Sequence, residues 1–459
     1  MNSLARESKS IRTLTASRIS RRRLLQGAAA GTAVAATGTL PTSGTRVQAQ
    51  ETVTLTFWTE YSTDPGRSTM DDAIARFQEA NPGITVDHRP IENEQFFTVL
   101  RTGFTSGEPP DVFQHEGHQN LFQFSDQGEI EAIDDLYADL EERFIPGTAA
   151  AIAKDGHYYG VPWSIHTDTQ IFHNETVLQA NGIDPATLKT WDDYLAAFTE
   201  LKEAGVTPVA FANKFGWSGS QWFFAFLVRQ VGADPVLDLC ARVGDHKWTD
   251  PGFVKAAQYY VDLNTQGFFS LGAASDDYPS ATALFFAGRS GFFQTGSWLL
   301  GSVEAEAPPD FKIGLNTFPT VSGGEGDPDN IVMQVIGGYS LSKKGAEDPA
   351  KRVAALKFLT FMTELPQAQE WVKRTQSMTA IQDSVTADTA SPVLLKIVEE
   401  QVDGNTGSFP FLEHILPKEV GEDAIWMGSV GVLTGQLDAE SWMASVEAEA
   451  EKHEPVFSR

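Results

Sequence analysis

The chain has 459 residues, 41% hydrophobic and 21% charged, with a formal net charge of −27. That length accommodates two or three domains with sizeable cores, while so acidic a balance speaks against nucleic acid or anionic lipid as partners and favours neutral or cationic ligands. One cysteine, Cys240, excludes an internal disulfide and a cysteine-built zinc or iron–sulfur centre; within Leu237-Asp238-Leu239-Cys240 it reads as a packed thiol.

Residues 1–49 read as an export leader outside the fold. They hold eight Lys/Arg against one Glu, then an Ala/Gly/Thr run from Gly27 to Gly38 and a small-residue cleavage site at Val47-Gln48-Ala49. Ser20-Arg21-Arg22-Arg23-Leu24-Leu25-Gln26 matches the twin-arginine pattern. The middle is too short and too poor in Leu and Ile for the roughly 20 apolar residues of a membrane span. With no cysteine near the cleavage site, a lipid anchor there is not expected.

Val53 to Phe57 alternates at period two and predicts a strand. Met70 to Ala80 carries Ile74 and Phe77 on one helical face, and Asn81-Pro82-Gly83 stops it. A strand at Ile84 to Val86, a helix at Phe96 to Phe104 and a strand at Asp111 to Phe113 continue the alternation. This pace implies right-handed βαβ units and a mainly parallel sheet. Ligands sit at the carboxyl ends of such strands, here Trp58-Thr59-Glu60-Tyr61 and Gln114-His115-Glu116-Gly117-His118. Asp155 to Trp163 is a turn into an extended segment, and an apolar strand ends in Asn174. Trp191 to Ala204 is helical, Pro208 to Ala212 extended, Gln221 to Gln230 an aromatic helix and Pro251 to Thr265 another helix. Gly314 to Pro319 and Met333 to Ser342 read as paired strands around a polar loop, Ser322 to Asn330. Asp348-Pro349 caps a helix running to Met362, and helices dominate thereafter. Pattern alone implies an α/β chain with at least two sheet-centred units.

The most informative stretch is Ala281 to Gly301, ATALFFAGRSGFFQTGSWLLG. It joins a helix end at Leu284 to Phe286, a Gly288-Arg289 break, an apolar strand at Gly291 to Gln294, and Gly296-Ser297-Trp298. There glycine admits close backbone approach and the indole offers a flat apolar face. This order closely resembles a signature of the extracellular solute-binding proteins of ABC transporters, in their large sugar-binding, maltose-binding-protein-like subgroup (family 1). Tyr159-Gly160-Val161-Pro162 before the strand ending at Asn174 resembles the same family's first interdomain crossover. The resemblance covers nearly all of residues 51–450. It implies an α/β, two-lobe periplasmic-binding-protein-like (type II) fold with the ligand cleft between lobes joined by two or three crossovers. The lobes it implies are 51–159 plus 280–337 (N-terminal) and 163–279 plus 341–459 (C-terminal). It also implies capture of a mono- or oligosaccharide for a membrane permease, in the periplasm or outside the cell. A monomer is expected, with no catalysis, no cofactor, no metal and no nucleic-acid partner.

A sugar presents polar edges and flat C–H faces. Its site needs aromatic plates, each adding about 0.5–1.5 kcal/mol beyond burial, and fixed polar groups, each netting about 1 kcal/mol. The plates expected are Trp58, Trp163, Trp217 and Trp298, with core packing the plainer role for each; Trp191 and Trp371 lie in helical patterns and read as core. Polar candidates are Glu60, Glu116, His166, Asp168 and Gln221, with Gly338 and Tyr339 at the last crossover as hinge or ligand approach. Where the family often has an aromatic–glycine–glycine run, this chain has His115-Glu116-Gly117-His118, which implies more hydrogen bonding to hydroxyls. Those histidines also raise zinc, but the spacing is not His-Glu-x-x-His and no further His/Cys cluster supports it. Glu413, in Phe409-Pro410-Phe411-Leu412-Glu413, is a weaker candidate, with a structural role the plainer reading.

Within the same fold, a polyamine or a polyol phosphate is the alternative ligand. Glu60, Glu116 and Asp168 could surround a polyamine, whereas a phosphate would find only Arg67 and Arg289 near the proposed loops. The alternative of another class is a secreted glycoside hydrolase, because the same carboxylates could converge. Cofactor enzymes are disfavoured: the chain lacks metal-ligand clusters and a Gly-x-Gly-x-x-Gly turn after the first strand. Gly216-Trp217-Ser218-Gly219-Ser220 resembles a nucleophile elbow only loosely.

Overall fold

The computed structural model describes residues 52–335, 337–403 and 407–457; the expected leader, residues 1–49, lies outside the described residues. Strand β1 (Val53–Thr59) pairs in parallel with β2 (Ile84–Pro90) and β3 (Val112–His115). The helices Gly66–Ala80 and Asn93–Thr105 are the crossovers between them. The first buries Met70, Ala73, Ile74 and Phe77, the one-sided stripe that a 3.6-residue period requires. A short hairpin, β4 (Ala153–Lys154) with β5 (His157–Tyr158), leads to β6 (Val161–Pro162). Directly after it come β7 (Ser164–Thr167) and β8 (Gln170–Asn174). Later strands are β9 (Thr207–Val209), β10 (Ser290–Gln294), β11 (Ile313–Thr317), β12 (Asn330–Val335), β13 (Gly338–Leu341), β14 (Met378–Thr379) and β15 (Gly407–Phe409).

Three sheets organise these strands. The first has the order β2-β1-β3-β13-β6 and the second β11-β8-β10-β9. The third, β14-β7-β12-β15, lies on the chain's route between them. β7 leads from β6 of the first sheet to β8 of the second; β12 leads from β11 of the second back to β13 of the first. β7 and β12 pair antiparallel, Met333 opposite Thr167 and Val335 opposite Ile165. Two buried clusters accompany the main sheets. One gathers Leu55, Phe57, Phe77, Phe113, Tyr339 and Phe358; the other gathers Trp191, Phe198, Trp222, Phe226, Tyr260 and Trp442. The result is a two-lobe α/β fold. Among the described residues no helix is long and apolar enough to cross a membrane, and Cys240 is buried.

Strand pairing alters the expected routing at two points. The segment 280–337, expected with the N-terminal lobe, contains β10 and β11. Both pair with β8, and β10 also pairs with β9. The segment from 341, expected with the C-terminal lobe, contains the helix Pro349–Met362, where Phe358 lies 5.1 Å from Phe57 of β1. We therefore assign β10 and β11 to the second lobe, and β13 with the helices Pro349–Met362 and Leu365–Thr375 to the first. The strands expected to pair around residues 322–330 do not. β11 joins the second sheet, and the stretch beyond it splits between β12 and β13 in two different sheets. Apolar alternation marks a strand without naming its neighbour, so only tertiary packing decides such partners.

Candidate functional site

The carboxyl ends of β1 and β3 form one bank of the site. Glu60, just past β1, accepts from Gln114 Nε2 at 2.7 Å and from Asn93 Nδ2 at 2.8 Å. Burial, with the nearby charge of Glu116 adding to it, pushes its carboxyl up to about 8. Beyond β3 the chain turns at Gly117, with φ 72°, where a Cβ would lie 2.9 Å from the Ala151 carbonyl oxygen; glycine is required there. Its N–H donates to His115 Nδ1 at 3.0 Å, so His115 braces the turn from a fully buried position. Burial holds that imidazole down to about 3. Glu116 Oε2 accepts from Asn120 Nδ2 at 2.8 Å and lies 3.2 Å from His414 Nε2 of the other lobe. Burial pulls His414 down, but the hydrogen bond and charge of Glu116 outweigh it and raise this imidazole above its ordinary value.

Behind Glu60 sits an aromatic knot. The rings of Tyr61 and Trp371 are 4.6 Å apart, Trp371 and Trp163 5.8 Å, and Trp163 and Tyr339 5.7 Å. Trp163 and Tyr339 are fully buried, and Gly338 packs its backbone against His115, a Cβ there falling 2.5 Å from that ring.

The second bank is built on β7, β8, β10 and the helix Trp217–Val231. His166 Nδ1 bonds Ser297 Oγ at 3.2 Å, and burial keeps the ring neutral, its pKa down to about 3. His166 meets Trp298 edge-on at 5.5 Å; Trp298 in turn lies 6.1 Å from Trp217, and Trp217 5.4 Å from Tyr278. Gly296 is required beside that indole, since a Cβ would fall 2.0 Å from it. Asp168, wholly buried, accepts at Oδ1 from Gln294 Nε2 at 3.4 Å. Burial first, then the charge of Glu413, hold its carboxyl well above the usual range. Glu413 itself is pushed up to about 7, chiefly by burial.

What unites the two banks is unmet hydrogen-bonding capacity. Among the described residues eighteen buried side-chain atoms lack a well-formed hydrogen bond to the protein, and ten of them belong to these two banks; of the ten, the hydroxyls of Tyr61 and Tyr339 stand close enough to interact with each other, as do those of Tyr278 and Thr295. The ten are Tyr61 Oη, Trp163 Nε1, Tyr339 Oη and Trp371 Nε1 on the first bank. On the second they are Asp168 Oδ2, Gln221 Oε1, Tyr278 Oη, Gln294 Oε1, Thr295 Oγ1 and Glu413 Oε2. Buried polar atoms are nearly always paired, so such a concentration marks a place built to receive polar groups. No group of three or more His, Cys, Asp or Glu side chains among the described residues is arranged to hold a metal ion.

Of the eleven expected residues, the seam gathers Glu60, Glu116, Trp163, His166, Asp168, Trp217, Gln221, Trp298 and Tyr339, with Gly338 behind them. Trp58 is placed elsewhere: the Arg89 guanidinium covers its ring at 4.5 Å, and a Cβ on Gly103 would touch its edge at 3.1 Å. It packs between β2 and a helix. Sequence reasoning passed over Tyr61, Tyr278, Gln294 and His414, and ranked Glu413 as a weaker candidate. Tyr61 and Gln294 stand at strand ends already singled out, which was a usable signal; His414 carried none.

Residues 60–369 match the family model of bacterial extracellular solute-binding proteins. The chain is 25% identical over 373 residues to an uncharacterized ABC transporter extracellular-binding protein of Pyrococcus horikoshii, with 80% of each covered. It is 22% identical over 381 residues to a maltotriose-binding protein of Pyrococcus abyssi, covering 81% of this chain and 74% of that one. Its fold is similar to that of a chitin oligosaccharide binding protein, at a TM-score of 0.79 and 22% identity, covering 88% of this chain and 99% of that one.

Proposed function

Because the chain belongs to the family of bacterial extracellular solute-binding proteins, we infer that it is the receptor of an ABC importer, holding a mono- or oligosaccharide between its lobes and presenting it to the permease. One observation carries the sugar reading: unpartnered polar atoms of Trp163, Trp371, Asp168, Gln221, Gln294 and Glu413 stand on the same two banks as the rings of Trp217, Trp298, Tyr278, Trp163 and Tyr61. Each buried group left unpaired costs about 1–3 kcal/mol, and sugar hydroxyls, which donate and accept, relieve that cost while C–H faces stack on rings. The relatives named for maltotriose and chitin oligosaccharide agree with this reading. A polyol phosphate fits less well, because the acidic groups Glu60, Glu116, Asp168 and Glu413 gathered here would repel its negative charge.

Calorimetric titration of a panel of mono- and oligosaccharides tests the reading. Trp298→Ala is expected to weaken the best ligand at least tenfold, about 1.4 kcal/mol; an unchanged affinity would return the indole to a packing role. Export by the twin-arginine route, with cleavage after Ala49, belongs to the same proposal. Mass spectrometry of the exported protein checks it, and retained Met1 would contradict it.

A further inference from the structure

We propose that Glu116 and His414 form a latch between the lobes set by one proton: the imidazolium holds the lobes together and the neutral imidazole lets them part. The inference rests on the lobe closure proposed above and is independent of which guest is held.

Glu116 follows β3 of the first lobe at the Gly117 turn, and His414 lies in the short helix Leu412–Ile415 of the second. Glu116 Oε2 stands 3.2 Å from His414 Nε2, with the imidazole side chain 5% exposed and the carboxylate 21%. Each partner is held by its own lobe. Asn120 Nδ2 donates to the same carboxylate oxygen at 2.8 Å, and the Gly117 N–H on His115 Nδ1 fixes the backbone beside it. On the other side the His414 N–H donates to the Phe411 carbonyl at 3.0 Å, and the Phe411 ring meets the imidazole edge-on at 5.8 Å. The contact therefore crosses from lobe to lobe with both ends anchored. So little exposure also spares it the screening by water and salt that makes surface ion pairs weak.

Histidine is the side chain whose charge changes near neutral pH. The charged groups facing His414 are Glu116 and His118 from the first lobe and Glu413 and Glu422 from the second. Lys418 pairs with Glu422, and Arg101 of the helix Asn93–Thr105 also acts on it. Burial opposes the imidazolium, but the hydrogen bond and charge of Glu116, then Glu413 and Glu422, outweigh it and raise His414 above its ordinary 6.5. When the lobes part, water replaces Glu116 and the imidazole falls back. Closure thus takes up a proton: the latch is set below the ordinary value and is lost as pH rises through the raised one. Each unit between the two values changes the ratio of closed to open molecules about tenfold.

Glu60 and Glu413 keep protons in the same seam and favour closure in the same direction, so the test follows the imidazole itself. It uses the whole chain with no sugar added. The His414 ring resonance is titrated by NMR in the parent and in Glu116→Gln, and small-angle scattering is recorded at about pH 6 and about pH 9 for the parent, Glu116→Gln and His414→Gln. The parent is expected to have a His414 midpoint above 6.5, lowered in Glu116→Gln, and a radius of gyration that grows at the higher pH. Both variants are expected to keep one radius at both pH values. Thermal denaturation confirms that each is folded; Glu116→Gln alone suffices if His414→Gln is not. A midpoint unmoved by Glu116→Gln would overturn the latch, as would a radius that ignores pH in the parent or still follows it in the variants. None of these results touches the sugar reading, which the calorimetric panel decides separately.

Discussion

In the folded chain Glu60 keeps its proton to about pH 8, against 4.5 for an unburied glutamate. Between those values the folded state binds a proton that the unfolded state has released, so stability falls as pH rises through that window. Glu413, raised to about 7, contributes in the same direction. His115 and His166, held down to about 3, and His118 and His173, held down to about 4, act oppositely and outnumber them. Below 6.5 the unfolded imidazoles bind protons that the folded ones refuse, and stability falls as pH drops. The thermal midpoint of the ligand-free protein should therefore peak at about pH 6–7, and Glu60→Gln should flatten the alkaline limb while leaving the acid limb in place. A midpoint that keeps its alkaline slope in the variant would remove Glu60 as the cause. At this scale the sequence singled out residues that follow a strand or a glycine turn, Glu60, Glu116, Asp168, Trp217 and Trp298; the fold gathers them on the two banks, and their part in binding is the proposal above. Glu413 ranked only as a weaker candidate, because the acidic neighbours that act on it and with it, Glu116 and Asp168, lie far away in sequence. Trp58 misled because only the register of β1 on β2 brings Arg89 over its ring.

Helices were read well from sequence, since their signals are local. Asp348 accepts from the N–H groups of Ala350 and Lys351, with Pro349 at the first helical position, as the Asp-Pro pair implies. Thr190 and Asp193 form a reciprocal cap on the helix from Trp191. Strand neighbours were not legible, and β10, β11 and β12 all found partners that alternation could not name. Gly338 illustrates how closely such neighbours meet. In β13, between β3 and β6, a Cβ at this position would lie 2.5 Å from His115 Cε1 and 2.7 Å from the Val161 carbonyl oxygen. Gly338→Ala should therefore cost about 1–3 kcal/mol through overpacking, seen as a lower urea midpoint with an unchanged slope. A midpoint equal to the parent's would show that the strands can part at this point without loss.

For the whole molecule, the two-lobe design and the approximate place of the cleft were legible through resemblance, but which residues belong to which lobe was not. The proposed site draws on both proposed lobes, so ligand binding should pull them together and stabilise them jointly. At a hundredfold excess over Kd the sugar should add about 2.7 kcal/mol of stability, measured as a rise in thermal midpoint, and small-angle scattering should record a smaller radius of gyration. A midpoint that rises with no change in radius would mean that the lobes already stand closed before the guest arrives.

β7 and β12 lie side by side, hydrogen-bonded and running in opposite directions. Two ribbons laced edge to edge flex like a leather strap: they fold easily across their width yet resist sliding past each other. We expect such a pair to restrict the lobes to a swing about one axis, which would return the two halves of the proposed binding surface to the same alignment. Fidelity of recognition should then depend on a strap that itself carries His166 of the proposed site.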